Sequence, residues 1–324
     1  MKYEIITIGS VTRDAFFKSD AFKVEKNPNV RTGEQMCLML GTKIAVQEVV
    51  FTTGGGGTNT AVGFSRQGLR TASICRIGDD ISGRAIIEEF EKEGVANLSQ
   101  VDKEYPTAFS LILVAPDGER TILEHRGAND HITEKEIDWS GLESEWLFLD
   151  SLAGNTNLMK EAIDWAKKND VKIACNPGKK MVQMGRELRP FIEGIDIFIS
   201  NEDEAGLITG VEPGNTEKIF EEMDKIIKEV VVMTRGPKGV MVSDGKNIYS
   251  AGTPDSPVVD RTGAGDAFSA GFVSGYINSG GDIENAIQLG TANATSVVQY
   301  FGAKKGHLKK GDWGGYPKIE VAKN

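Results

Sequence analysis

The chain has 324 residues, 40% of them hydrophobic and 26% charged, and a net charge of −10. That size supports a sizeable core, and an α/β sheet with excursions can absorb it as one domain. The acidic balance argues against a general nucleic-acid binder, which needs a basic footprint, and leaves the Lys-rich stretch 304–310 to be read as a solvated end.

Short β-rich runs alternate with helical ones over most of the length, the pattern of an α/β fold on a largely parallel sheet. The first strand falls at 4–8, and Asp14 follows it in IGSVTRD. A carboxylate at a strand's carboxyl end can accept hydrogen bonds from two vicinal hydroxyls. Residues 15–53 then break the alternation with β-type residues. In GGGGTNTAVGFSRQG, residues 54–68, a glycine turn leads into a helix over 59–67, with Asn59 in its first turn. Two readings fit. A polyhydroxylated ligand could lie against the bare backbone at Gly55 while the Asn59 amide donates and accepts, or the stretch is a turn before a capped helix. It is neither a Walker A loop nor a dinucleotide fingerprint.

A strand follows at 72–77, and then a helix over 83–92 with Ser82 as its cap and Gly94 as its stop. Residues 105–124 break the alternation again: FSLILVAP and ERTILEH read as a hairpin about Asp117-Gly118. The two interruptions look like one accessory β layer, placed to fold over the crevice at the carboxyl ends of the main strands. Further strands are expected at 146–150, 172–175, 197–200, 230–234 and 240–243, and helices at 157–168, 216–228, 265–277 and 283–300. Asn201 and Glu204 in SNEDEAG follow a strand and open a helix; they could orient water on magnesium or simply cap that helix. Thr234, Gly236 and Gly239 in MTRGPKG form a turn suited to a nucleotide's phosphates or ribose.

The stretch DRTGAGDAFSAGF, residues 260–272, sets Gly263, Ala264 and Gly265 before a helix, with Asp266 in its first turn. Free amides and the helix dipole converge there on an anion. A carboxylate beside such amides makes sense if it serves a second ligand, such as a hydroxyl that must lose its proton. The alternative is a plain helix start, with Asp266 favouring the dipole.

Cys37, Cys75 and Cys175 are widely spaced with no CxxC pair, and His125, His131 and His307 lack ligand spacing, so no zinc site is expected. The cysteine usage fits a reducing compartment, and MKYEIITIGS carries no apolar leader. A cytoplasmic protein that engages neither membrane nor nucleic acid is expected.

Together these elements resemble the ribokinase-like, or PfkB, family of carbohydrate and nucleoside kinases over nearly the whole chain. DRTGAGDAFSAGF resembles its carboxyl-terminal signature, and GG-x-x-x-N-x-A at Gly54, Gly55, Asn59 and Ala61 its amino-terminal one. Gly78-Asp79-Asp80 with Gly83, Gly127-Ala128-Asn129, Asn176, the Asn201 and Glu204 pair and Gly302-Ala303 follow in the expected order. The resemblance implies a three-layer αβα fold with a mostly parallel central sheet and a small β-sheet lid from 15–53 and 105–124, in one kinase domain over 1–324. It implies transfer of the ATP γ-phosphate to a hydroxymethyl group of a sugar or sugar derivative. Adenosine or another nucleoside is the alternative acceptor, and a kinase-like binding protein without catalysis the alternative of another class.

By the same resemblance Asp266 is the general base and the amides of Gly263, Ala264, Gly265 and Asp266 form the anion hole. Asp14, Gly55, Asn59 and Asp150 hold the acceptor, while Asn201 and Glu204 support Mg2+ through water. Thr234, Gly236 and Gly239 meet the nucleotide, with adenine near the helix of Asn293 and Val297. Arg261 stands where the family often has Thr; it can pair with Asp260 or approach the phosphates, which leaves the K+ dependence of many relatives open here. Gly56 stands where ribokinases commonly carry Lys, so ribose is not implied. A homodimer through the lid edges is a further option.

Overall fold

The computed structural model describes residues 2–30, 33–116 and 119–323. Its main sheet has the strand order Val321–Lys323, Ile248–Ala251, Val240–Ser243, Val230–Thr234, Ile197–Asn201, Lys172–Cys175, Ser144–Leu149, Tyr3–Ile8, Thr71–Ile74 and Ala96–Asn97. From Val230–Thr234 through Ala96–Asn97 every pairing is parallel, and the three strands on the other edge are antiparallel.

Alternation along the buried strands makes the three layers. Ile6, Ile8, Leu147, Leu149, Ile173, Phe198, Val231 and Met233 enter one core cluster with helices Thr156–Lys168, Glu202–Thr209 and Thr216–Met223. Their neighbours Ile5, Trp146, Phe148, Ala174, Ile197, Ile199, Val230 and Val232 enter the other, beneath Gly56–Arg66, Ala264–Ser279 and Ile283–Val297. A strand buried on both faces carries apolar residues at successive positions, as these do.

The parallel strands all end on one edge, where Gly9, Asp150, Asn176 and Asn201 succeed one another, with Thr234 closing Val230–Thr234 beside them. At about 4.8 Å per strand, Asp150 and Thr234 stand roughly 15 Å apart along that edge. This is the crevice where open α/β sheets bind ligands.

A second sheet has the order Arg120–His125, Phe109–Val114, Thr12–Lys18, Glu48–Gly54. Both interruptions therefore build one layer, and Phe109–Val114 pairs antiparallel with Arg120–His125 as a hairpin; its expected turn, Asp117-Gly118, lies outside the described residues. A separate hairpin, Lys23–Lys26 with Glu34–Cys37, packs Val24 and Met36 toward Phe22 and Leu113 on the outer face of this sheet.

Several boundaries differ from the expected ones for local physical reasons. The small sheet begins at Thr12, so Asp14 sits inside a lid strand, between Thr52 and Ser110, and not on the main strand's end. The helix expected over 59–67 is Gly56–Arg66, because Ser10 receives its first amides: Gly56 N–H donates to Ser10 Oγ at 3.2 Å and Gly57 N–H to its carbonyl at 3.0 Å. Ile81–Glu93 is capped by Asp80, not Ser82, through Gly83 N–H at 2.8 Å. Lys304 is no solvated end; it is 7% exposed.

Candidate active site

Helix Ala264–Ser279 begins on Gly263, whose φ of 75° is left-handed. A Cβ there would lie 2.4 Å from that of Ala303, so both conformation and space require glycine. The first-turn amides of Gly265 and Asp266 have no intrahelical partner, and the space beside the Gly265 Cα is open. That is an anion cradle at the positive end of a 16-residue helix.

Asp266 faces the other motif. Asn59 Nδ2 donates to Asp266 Oδ2 at 2.7 Å, which ties the helix from the glycine run to the helix from the anion cradle. Asn59 is 3% exposed, and its Oδ1 is buried without a hydrogen-bond partner. An orphaned buried acceptor in a polar crevice marks a place for a donor from outside the chain.

Asp150 completes a carboxylate pair. Burial and the nearby Asp266 charge push its carboxyl well above the usual range. Burial also raises Asp266, but the Asn59 amide and the Lys304 ammonium pull it back. Asp150 is thus raised the more strongly, and ionisation of the pair is favoured on Asp266. Ser10 Oγ donates to Asp150 Oδ1 at 3.5 Å, and the Gly56 Cα lies so close that a Cβ would fall 2.2 Å from Asp150 Oδ1. The bare backbone at Gly56 is what lets the carboxyl stand there.

Asp14 approaches from the lid. Thr12 Oγ1 donates to its Oδ1 at 2.7 Å and Ser110 adds a second hydroxyl, while burial raises its pKa. Gly54 abuts Asp14 Oδ2 and leads into Gly55, the cap of the helix that carries Asn59. Thr52, on the same face of the lid sheet, has a buried hydroxyl with no partner. Asp14, Gly55, Asn59, Asp150 and the 263–266 loop thus converge at one end of the crevice.

Asn201 and Glu204 lie further along the strand ends. Asn201 Oδ1 accepts from Glu204 N–H and Glu204 Oε2 from Asn201 N–H, both at 2.9 Å, so the helix-cap alternative is realised. Burial raises the Glu204 carboxyl above the ordinary carboxylate range. Thr234 stands opposite Asn201 in the sheet, and Gly236 and Gly239 turn just beyond it with φ of 56° and 92°.

Asn293 and Val297 belong to neither group. Both are 0% exposed, and the Asn293 amide is spent inside the protein: Nδ2 donates to Ala267 O at 2.7 Å and meets His307 Nδ1 at 3.0 Å, and Oδ1 accepts from Leu308 N–H at 2.8 Å. These side chains face the protein interior.

Three residues escape a sequence reading. Ser10 bridges Gly56 and Asp150. Lys304 donates to Glu89 Oε2 at 2.6 Å and to Thr53 at the root of the lid. Arg120, on the lid hairpin, meets Asp260 at 3.0 Å; Asp260 also accepts from Thr262 and Gly302, and the exposed Arg261 is not its partner. None of the three sits in a recognisable motif, because each acts through a long-range contact.

Free helix-start amides beside two carboxylates, at the strand ends of an α/β sheet and under a β layer, are an arrangement suited to phosphoryl transfer. The chain belongs to the pfkB family of carbohydrate kinases, ATP-dependent phosphotransferases with an alcohol acceptor, and the match runs over residues 4–310. It is 33% identical over 274 residues to a ribokinase of Haemophilus influenzae, covering 82% of this chain and 87% of that protein. A ribokinase of Arabidopsis thaliana, solved with ribose and ATP, shares the fold with a TM-score of 0.75 at 22% identity, over 96% of this chain and 97% of that one. An adenosine kinase from Sinorhizobium meliloti does so with a TM-score of 0.77 at 23% identity, over 94% and 96%. Among the described residues no helix is long and apolar enough to cross a membrane.

Proposed function

We propose that the protein transfers the γ-phosphate of ATP to a hydroxymethyl group of a small sugar or sugar derivative, with Asp266 as general base. The observation that carries this reading is the Asn59 amide, whose donor holds Asp266 while its buried acceptor is unfilled. A sugar hydroxyl bound there stands beside the base. In the transfer its proton passes to Asp266, its oxygen bonds to phosphorus, and ADP departs. General-base catalysis of this kind supplies on the order of 10²–10⁴-fold. The amides of Gly263, Gly265 and Asp266 stabilise the charge on the transferred group; Ala264 N–H already donates to Arg261 O at 3.3 Å.

Mg2+ would be supported by Asn201 and Glu204 through water, and when bound it neutralises phosphate charge. Thr234, Gly236 and Gly239 are the contacts proposed for the rest of the nucleotide. Arg120 already matches the Asp260 charge, so K+ contributes little in this protein.

Asp14, Asp150, Asn59 and Thr52 form a dense polar lining suited to vicinal hydroxyls. The lid aromatics favour a sugar over a nucleoside. Phe16 packs against Phe301, with ring centroids 6.5 Å apart, Phe22 is 3% exposed, and Phe51 is 55% exposed on the outer face. Phe16 and Phe22 are committed to packing, and Phe51 lies on the face opposite Asp14. Val49, Phe51 and Leu123 share that outer face, on which a homodimer through the lid would close; light scattering tests it. Three free cysteines, two of them buried, fit the cytoplasmic setting we assign.

The test is ATP-dependent phosphorylation across aldoses, ketoses, inositols and nucleosides with Mg2+. Turnover on a free sugar supports the reading; turnover restricted to nucleosides replaces it with the adenosine-kinase alternative. ATP binding without turnover on any acceptor favours a binding protein.

A further inference from the structure

The pfkB match stops at residue 310, yet the chain continues along the outer face of helix Ile283–Val297 and ends as strand Val321–Lys323 at the edge of the main sheet. Gln288 of that helix and Gln299, two residues past its end, clamp it. Gln299 Nε2 donates to the Tyr316 hydroxyl at 2.6 Å, and Ile319 N–H donates to Gln288 Oε1 at 3.1 Å while Gln288 Nε2 donates back to Ile319 O. Between the clamps lies a cleft of about 530 Å³, walled by Pro254, Gln288, Thr291, Trp313, Tyr316 and Pro317. That volume is in the range of small-molecule sites.

We infer that this carboxyl-terminal segment forms the base wall of the donor site, with Trp313 and Tyr316 packing on the purine of ATP. The inference rests on the kinase reading above and adds residues outside the family match.

Position carries the argument first. The far end of the helix adjoins the anion loop: Val298 O accepts from Val259 N–H at 2.8 Å and from Asp260 N–H at 3.1 Å. Thr291 is seven residues earlier in the chain, about 10 Å along a helix, which is the reach of a ribose and triphosphate. The loop from Pro254 to Asp260 connects the cleft to the cradle, and Thr253 Oγ1 donates to Pro237 O at 3.1 Å, joining it to the proposed phosphate and ribose turn. Cradle, turn and cleft therefore lie in the order of a nucleotide's own parts.

Chemistry follows. Asn285, Gln288, Thr291 and Ala292 share the cleft face of the helix, while Ile283, Ala286 and Ile287 are buried in the core. A surface with aromatic rings, a proline and side-chain amides suits a flat heterocycle with polar edges. Trp313 is 42% exposed where it walls the cleft, so its ring is accessible to a ligand there. Buried Asn293 and Val297, on the opposite side, could not serve.

The test compares the full-length wild type with Trp313→Ala and Trp313→Phe by calorimetric titration with ATP and, separately, with inorganic tripolyphosphate, alongside steady-state kinetics. Stacking of one base is worth a factor of about 5 to 150 in affinity. We expect Trp313→Ala to weaken ATP by about tenfold or more, to raise KM for ATP with kcat and acceptor KM little changed, and to leave tripolyphosphate binding intact; Trp313→Phe retains most of the affinity. Unchanged ATP affinity in Trp313→Ala overturns the inference while the kinase reading stands. Equal weakening of ATP and tripolyphosphate also overturns it, since the effect is then structural. A wild type that binds no ATP overturns both.

Discussion

Asn59 and Asp266, 207 positions apart in the chain, meet at 2.7 Å. Each begins a helix on a glycine-rich turn, and the bond makes the two motifs one site. The Asn59 amide keeps Asp266 oriented and favours its ionised form, while the oxygen of the same amide is buried without a partner. Asn59→Ala removes both roles. A hydrogen bond to a charged group is worth about 1.5–3 kcal/mol, so kcat/KM for the best acceptor should fall roughly ten- to a hundredfold with KM for ATP nearly unchanged. A rise confined to KM for ATP would place Asn59 elsewhere in the mechanism.

Asp150 links the site to stability. Its carboxyl is raised by burial and by Asp266, so the folded protein holds a proton that the unfolded chain releases at ordinary carboxylate pH. Stability from this group is therefore present at low pH and declines as pH rises from the ordinary carboxylate range through the raised value. Asp150→Asn is expected to raise Tm at pH 8, with the gain shrinking toward pH 4, and to impair acceptor use. Thermal melts across that pH range decide it; a variant less stable at pH 8 contradicts the assignment.

Lys304 tests the root of the lid. Its ammonium is buried between Glu89 and Thr53. Lys304→Met leaves Glu89 without its cation and should destabilise by about 3–5 kcal/mol, whereas Lys304→Met with Glu89→Leu should recover most of that loss. Urea unfolding of the two single variants and the double one measures the coupling; additive losses would mean the pair is not energetically linked.

Arg120 gives a prediction about salt. Because its guanidinium neutralises Asp260 beside the anion loop, replacing Na+ with K+ should alter wild-type kcat little. In Arg120→Ala the charge is uncovered and K+ should become activating. A wild type that depends strongly on K+ would show that the guanidinium does not do the cation's work.

Much of this architecture is legible in the residues because its signals are local. Gly263, Gly265 and Asp266 announce a helix start with a free anion site, and the alternation at Ile5, Ile6 and Ile8 or Trp146, Leu147 and Phe148 announces strands buried on both faces. Capping was only partly legible: Ser82 and Asp80 are both good caps, and the contact of Asp80 with Thr107, 27 residues away, selects it. Lys304 looked solvated because a run of lysines usually is, and only the arrival of Glu89 and Thr53 makes its burial tolerable. Asn293 shows the converse. The family resemblance implies adenine near its helix, but Ala267, His307 and Leu308 consume its amide.

The central claim is that Asp266 takes the acceptor's proton, and the most direct test is the kcat of Asp266→Asn on the best acceptor, measured beside ATP and acceptor binding. The account predicts a loss on the order of 10²–10⁴-fold with both ligands still bound. A variant that turns over at close to the wild-type rate would contradict it.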